Sequence, residues 1–379
     1  MNFFLTEDQE AIRQAIRDFA ENEIAPQAEH YDKTKEFPWE NFRKLAAQGY
    51  LGMAMPEKYG GAGADYVSYA IVVEELARAC ATTAVIYEVH NSLHSDAILQ
   101  FGSEEQKMKY LPLLCRGERL GGYALTEPGA GSNAASIKTR AVRKGDHYVL
   151  NGTKSFITNG GQAHQYIVMA STDPSQGSKG ISAFLVEKDT PGVSFGQPEE
   201  KLGIRASHTT TITFDEAPVP RENLLGREGE GYKVALATLD GGRIGIAAQA
   251  VGITQKAMEL AAAYAKEREQ FGQKIASFQA IQWKLADMAV DVEAARLLLY
   301  RSAFLKQEGR RATREIAMAK LFASEMSQKH TNAAIQIFGG YGYITEYQVE
   351  RLMRDARITQ IYEGTSEVMR MIIAGPMIR

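Results

Sequence analysis

The sequence predicts an α+β chain arranged as helices, then a β domain, then helices again. Three observations carry this reading. Apolar residues recur in steps of three and four towards both ends, short β-rich runs separated by turn residues fill the middle, and no βαβ alternation appears. The divisions fall at 1–120 for an N-terminal helical domain, 121–227 for a middle β-barrel or sandwich, and 228–379 for a C-terminal helical bundle. At 379 residues the chain is long enough for two or three packed units with their own cores.

In chain order, Thr6 and Gln9 make a capping box, after which Ile12, Ile16 and Phe19 follow at helical spacing. Pro26 bends or ends that first helix. Residues 58–63 (KYGGAG) read as a loop, and helical patterns resume over 66–79 and 85–101. The middle domain offers β runs at 147–150, 155–158, 166–170, 181–186 and 209–214, with Asn151-Gly152 as a hairpin signal between the first two. Turn-rich pieces at 173–179 and 197–200 join others. Beyond Gly229, Phe278, Ile281, Leu285, Met288, Val292, Ala295 and Leu299 form a narrow apolar seam of the kind used in bundles. Residues 313–338 predict one more long helix, stopped by Gly339-Gly340.

Composition excludes several function classes. Net charge is −3, which gives no basic footprint for nucleic acid and no attraction to an anionic membrane surface. No run approaches the roughly 20 apolar residues that span a bilayer. Cys80 and Cys115 have no metal-ligand spacing around them and read as reduced core thiols, and none of the seven histidines sits in a metal pattern. The acidic start lacks the features of a secretory signal or an Arg-rich transit peptide. The expectation is the cytoplasm of a bacterium, in preference to a processed mitochondrial matrix form.

The richest stretch for chemistry is 354–367, RDARITQIYEGTSE. Glu363 stands between an apolar-aromatic flank (Ile358, Ile361, Tyr362) and a small polar turn (Gly364, Thr365, Ser366). A carboxylate with an apolar neighbourhood loses solvation when charged, so its pKa rises toward neutrality, as a general base for a difficult proton requires. Taken alone, the same residues also suit a capped helix start with a solvated Glu. A nicotinamide site is not indicated: no G-x-G-x-x-G lies between a strand and a helix.

Six motifs in order resemble those of the acyl-CoA dehydrogenase family: YALTEPGAGSN (123–133), NGTKSFITNG (151–160), LDGGRIG (239–245), REQFG (268–272), QIFGGYGY (336–343) and the 354–367 run. The resemblance covers nearly the whole chain. It implies a helical domain, a β domain and a four-helix bundle, with FAD held between the last two and each site completed by a neighbouring subunit of a homotetramer. It places Tyr123, Leu125, Thr126, Gly131 and Ser132 along the flavin and its pyrophosphate, with Phe156, Ile157 and Thr158 covering the flavin face. Many relatives carry Trp where Phe156 stands. Arg268, Phe271, Gln279, Gln336, Gly339 and Gly340 would serve the adenine side from the neighbouring subunit, and Thr365 and Glu367 would also touch the cofactor. Many relatives have an amide at the position of Glu367.

The resemblance also assigns the reaction. Glu363 would take the α-proton of an acyl-CoA thioester, its own backbone N–H helping to stabilise the developing enolate, while the flavin accepts the β-hydrogen. Ser132, Asp240, Arg243, Tyr362 and Gly364 would contact the substrate. Some relatives carry the base on the helix expected to begin near Asp240. Gly242 cannot act as one, which points away from the isovaleryl and long-chain subgroups. Tyr87 and His90, in a segment resembling the pocket floor of short-chain members, add bulk and point to butyryl-CoA or a close relative. Electrons would pass to an electron-transfer flavoprotein. Other readings are a branched short-chain acyl-CoA dehydrogenase, an acyl-CoA oxidase, a silent flavin- or CoA-binding scaffold, and a helical interaction module without cofactor.

Overall fold

The computed structural model describes residues 4–378. Seven helices come first: α1 (Glu7–Phe19), α2 (Ala28–Thr34), α3 (Trp39–Ala47), α4 (Tyr66–Ala79), α5 (Ala81–Glu88), α6 (Asp96–Phe101) and α7 (Glu104–Cys115). The Thr6–Gln9 capping box is formed in both directions and starts α1. A π-helical turn, Ala20–Ile24, precedes a 3-10 turn with Pro26 near its start, so the chain changes pitch and reaches α2 without stopping. A second π-helical stretch, Val89–Ser95, joins α5 to α6 inside the region expected as one helix. Insertions of this kind are frequent beside functional sites.

The middle domain carries β1 (Gly121–Ala124), β2 (Arg140–Lys144), β3 (His147–Thr158), β4 (Gln165–Ser171), β5 (Ile181–Glu187), β6 (Val193–Phe195), β7 (Thr209–Pro220) and β8 (Leu224–Leu225). Their order is β6-β7-β3-β2-β4-β5-β8, with β1 parallel to β4. The halves β6-β7-β3-β2 and β4-β5-β8 join through the pair Arg140↔Ser171. Asn151-Gly152 does not turn a hairpin, contrary to the sequence expectation. The strand runs through it, and the register against β7 shifts between Leu150 and Gly152. Gly152 has φ 146°, and a β-carbon there would lie 2.7 Å from the Thr139 backbone, so the dipeptide forms a bulge. The hairpin is one turn earlier, at Gly145-Asp146, and it pairs β3 with β2, a strand the sequence reading did not assign.

The C-terminal domain has three long helices, α8 (Gly231–Glu267), α9 (Gln279–Gln307) and α10 (Thr313–Phe338), followed by short α11 (Val349–Ala356) and α12 (Ser366–Ala374). A two-stranded hairpin of β9 (Glu269–Gln270) and β10 (Gln273–Lys274) links α8 to α9. The seam on α9 is buried at Met288, Val292, Ala295 and Leu299, while Phe278, Ile281 and Leu285 pack at its edge. α8 begins nine residues before Asp240, so Asp240 lies in its third turn and not at its start. Cys80 and Cys115 are buried free thiols. Among the described residues no helix is long and apolar enough to cross a membrane, and no cluster of three or more His, Cys, Asp or Glu side chains is placed to hold a metal ion.

Candidate active site

Glu363 sits in the short connection before α12, which Thr365 caps by accepting from Val368 N at 3.3 Å. Glu363 and Gly364 both have positive φ, 53° and 102°. That conformation is unfavourable for a glutamate and needs outside support. The support comes from two helices. Arg243 Nε on α8 donates to the Glu363 carbonyl at 3.1 Å, and Lys320 Nζ on α10 donates to the Gly364 carbonyl at 2.6 Å. Arg243 is itself held by Asp240 (2.9 Å), whose other oxygen accepts from Thr313 Oγ1 at 2.7 Å.

The Glu363 carboxyl points inward. Its Oε2 is sealed from solvent without a hydrogen-bond partner. It faces Gly242, where any β-carbon would collide with it and would stand 2.7 Å from Leu93 Cδ2. One turn along α8, Gly245 faces Glu88 and the Tyr69 hydroxyl in the same way. Glu88 is completely buried and accepts from Ser92 Oγ; its Oε2 and the Tyr69 hydroxyl are likewise unpartnered. Three buried polar atoms without partners therefore face one glycine-lined side of α8.

Burial pushes the Glu363 carboxyl up to about 7, although the neighbouring Glu88 carboxyl and the charges of Arg243 and Lys320 oppose the rise. Burial holds Glu88 well above the carboxylate range, and the Glu363 charge adds to the effect. The pair titrates as a unit in which Glu363 ionises first and Glu88 keeps its proton. Burial lowers Lys320 to about 8. Tyr362 hydrogen-bonds Gln249 Oε1, and Tyr123, at the end of β1, senses the Glu363 charge. The sequence reading missed Glu88, Lys320, Tyr69 and Ser92. None belongs to a motif, and their only signal is a charged or polar residue inside an otherwise apolar helix face.

Tyr123, Leu125, Thr126, Phe156, Ile157 and Thr158 come together around the junction of β1 and β3. Ser155 N donates to the Thr126 carbonyl at 2.9 Å. Beneath them lies a buried ion pair: Lys154 Nζ reaches Glu127 Oε1 at 2.8 Å and the Leu125 carbonyl at 3.0 Å. Glu127 also accepts from the Lys138 and Thr139 amides at 2.5 and 2.9 Å. A register shift between Lys154 and Ile157 gives Phe156 a φ of 57° and leaves it 67% exposed beside buried Ile157. Gly131 and Ser132 are exposed, with open space where a Gly131 side chain would be.

A second cluster forms at the far end of the bundle. Arg268, Gly339 and Gly340 line a cavity of about 390 Å³ with Tyr264, Phe338 and Tyr341, and the Arg268 guanidinium lies 5.5 Å from the Tyr341 ring. Phe271, at the tip of the β9–β10 hairpin, is 93% exposed; Gln279 and Gln336 are exposed as well. None of the β1–β3 residues lines this cavity. Glu367 is exposed in the first turn of α12, where the helix-start amide and Thr365 lower its carboxyl.

Two placements correct the sequence reading. His90 Nδ1 accepts from Gly121 N at the start of β1 and Nε2 meets the Leu114 carbonyl of α7, so both ring nitrogens are engaged away from Glu363. Tyr87 donates to the Tyr50 carbonyl and stacks behind Tyr69. The residues of that segment nearest Glu363 are Glu88 and Leu93, with Ser92 behind them donating to Glu88.

Comparison with known proteins agrees with this geometry. Residues 6–118, 122–217 and 229–378 match the N-terminal, middle and C-terminal domains of acyl-CoA dehydrogenase in turn. The short-chain-specific acyl-CoA dehydrogenase of Clostridium acetobutylicum is 52% identical over 379 residues, covering 100% of both chains. The solved butyryl-CoA dehydrogenase of Megasphaera elsdenii superposes with a TM-score of 0.98 at 47% identity, again over 100% of both chains. A chain solved in work on the electron transferring flavoprotein of Acidaminococcus fermentans gives a TM-score of 0.99 at 50% identity over 100% of both. The chain belongs to the acyl-CoA dehydrogenase family.

Proposed function

We propose that the protein is an FAD-dependent acyl-CoA dehydrogenase that converts a short-chain acyl-CoA, butyryl-CoA or a close analogue, to the trans-2-enoyl-CoA. The observation that carries this reading is the Glu363 carboxyl, with Oε2 buried and unpartnered against Gly242 beside Leu93 and its pKa pushed up to about 7. A base of that strength is half ionised at neutral pH and strong enough to take a proton from carbon once the enolate is stabilised.

The donor set suits FAD. An exposed aromatic ring on a strained bulge, exposed Gly131 and Ser132, and a loop braced by Lys154–Glu127 make a rigid polar rim with a flat apolar cover. Tyr123, Leu125, Thr126, Ser132, Phe156, Ile157 and Thr158 would hold the flavin half. Arg268, Phe271, Gln279, Gln336, Gly339 and Gly340 of a neighbouring copy would hold the adenine half, with Thr365 and Glu367 nearby. When bound, FAD supplies the two-electron acceptor for the β-hydrogen. Glu363 takes the α-proton onto its carboxyl. Its backbone amide, fixed by the Arg243 and Lys320 contacts, donates to the thioester oxygen and stabilises the charge that develops there. Asp240 and Arg243 then act mainly by tying α8 and α10 to the base loop; Ser132, which is exposed, and the half-buried Tyr362 and Gly364 line the approach of the thioester.

Leu93, Glu88 and Tyr69 close the inner side of the base, which favours a short acyl chain. A heptad-spaced exposed stripe on α9 (Trp283, Val290, Leu297, Phe304), opposite its buried seam, supports packing against further copies in a homotetramer. Electron-transfer flavoprotein is the proposed acceptor, and the bacterial cytoplasm the proposed compartment. An anaerobic visible spectrum before and after butyryl-CoA tests the reading: a flavin band that bleaches supports it, and one that persists removes butyryl-CoA as substrate. Oxygen consumption during turnover would instead indicate an oxidase.

A further inference from the structure

We propose that Lys320 is a positioning residue for the base loop: from α10 it fixes the Gly364 carbonyl and presents one of two buried positive charges to the Glu363 carboxyl. This rests on the proposed role of Glu363 as the base. Lys320 is completely buried, and the acceptor found for its ammonium is the Gly364 carbonyl at 2.6 Å. A buried ammonium carries a desolvation cost of several kcal/mol, and an Ala or Leu would serve the packing of α10 at far lower cost. The geometry says what the charge does instead. Two successive carbonyls in an unfavourable backbone conformation, those of Glu363 and Gly364, are each gripped by a different cation from a different helix. Arg243 grips the first from α8. Lys320 grips the second from α10, two turns after Thr313, which holds the Asp240 end of the Arg243 network. Releasing either carbonyl lets the loop relax toward ordinary φ and swings the carboxyl off Gly242.

The charged groups that face Lys320 are Glu363 from the loop, Arg243 from α8, Glu325 on its own helix and Glu367 from α12. Of these, the Glu363 interaction is the largest after burial. Lys320 therefore favours the ionised base, and taking its charge away makes Glu363 harder to ionise. Its second effect, on loop geometry, acts through the hydrogen bond. Three substitutions separate the two. K320M removes both charge and donor, K320Q keeps a donor without charge, and K320R keeps the charge.

The test is the pH profile of kcat/KM for butyryl-CoA, with flavin content from the visible spectrum and Tm recorded for each variant. With the wild-type enzyme active, K320M and K320Q should move the acid limb up by about one pH unit. K320M should in addition lose roughly tenfold or more in kcat. K320R should keep the wild-type limb. If K320M and K320Q carry flavin and superimpose on the wild-type profile with only Tm lowered, Lys320 is structural and the proposal falls. It falls equally if both neutral variants fail to fold while K320R folds with an unchanged profile and kcat. If the wild-type enzyme itself does not turn over any acyl-CoA, it is the proposed function that fails, upstream of Lys320.

Discussion

Gly242 on α8 and Glu363 in the loop before α12, 121 residues apart, occupy complementary space: a β-carbon on the first would overlap Oε2 of the second. The absence of a side chain at 242 is thus the condition for the carboxyl at 363 to lie where it does. In the sequence Gly242 indicated only that this helix carries no base. In the fold it is the seat of the Glu363 carboxyl.

G242A should accordingly displace the Glu363 side chain and leave the fold nearly intact, because the atoms in its way belong to the ends of the Glu363 and Leu93 side chains. We expect kcat with butyryl-CoA to fall by about 10²-fold with a Tm within a few degrees of wild type. Steady-state kinetics beside a thermal melt checks this; an unchanged kcat would mean that the carboxyl works from another position.

Neutralising the base should stabilise the protein above neutral pH. Folding raises the Glu363 pKa from its ordinary carboxylate value to about 7. Between those values the unfolded chain binds fewer protons than the folded one, so stability is lost as pH rises through that window. E363Q removes this dependence. It should be inactive, keep its flavin, and exceed wild type at pH 8 by on the order of 1–3 kcal/mol, with the difference shrinking toward pH 5. Denaturant titrations at the two pH values measure it.

Glu88 should reveal itself in the acid limb of the rate profile. A protonated Glu88 beside Glu363 favours the ionised carboxylate, so removing it should raise the apparent pKa. E88L should shift the acid limb upward by about one unit, and E88Q, which retains an N–H donor, should stay near wild type. Identical profiles for all three enzymes would remove Glu88 from the titrating pair.

The ion pair beneath the β1–β3 junction makes a prediction about stability and cofactor together. K154M leaves Glu127 shielded beside two amides without its cation. We expect a loss of about 3 kcal/mol and faster release of flavin, read by denaturant unfolding and by the absorbance of a dialysed sample. Full flavin retention would mean that the loop 125–133 is held by backbone contacts alone.

Much of this was legible along the chain. The helices 66–79 and 313–338 fall where periodicity and the Gly339 stop put them, because helix patterning is local and its punctuation strong. The β zone was legible as a zone, but its register was not. Asn151-Gly152 has the composition of a hairpin turn, yet Asn151 spends its side chain on Glu216 of β7, accepting from the amide at 2.9 Å and donating to the carboxylate at 2.7 Å, and the strand continues. The second π-helical stretch was invisible, since one extra residue per turn leaves no compositional mark.

The sequence by itself determined the order of the three domains and the family, and it singled out the carboxylate at 363, since patterning and motifs are written along the chain. The tertiary structure decided what that carboxylate can do. Its proton affinity depends on desolvation by α4, α5 and α8 and on the charges of Arg243 and Lys320, which lie 120 and 43 residues away in the chain. Desolvation and Coulomb energies depend on distance in space, and no one-dimensional pattern records that distance.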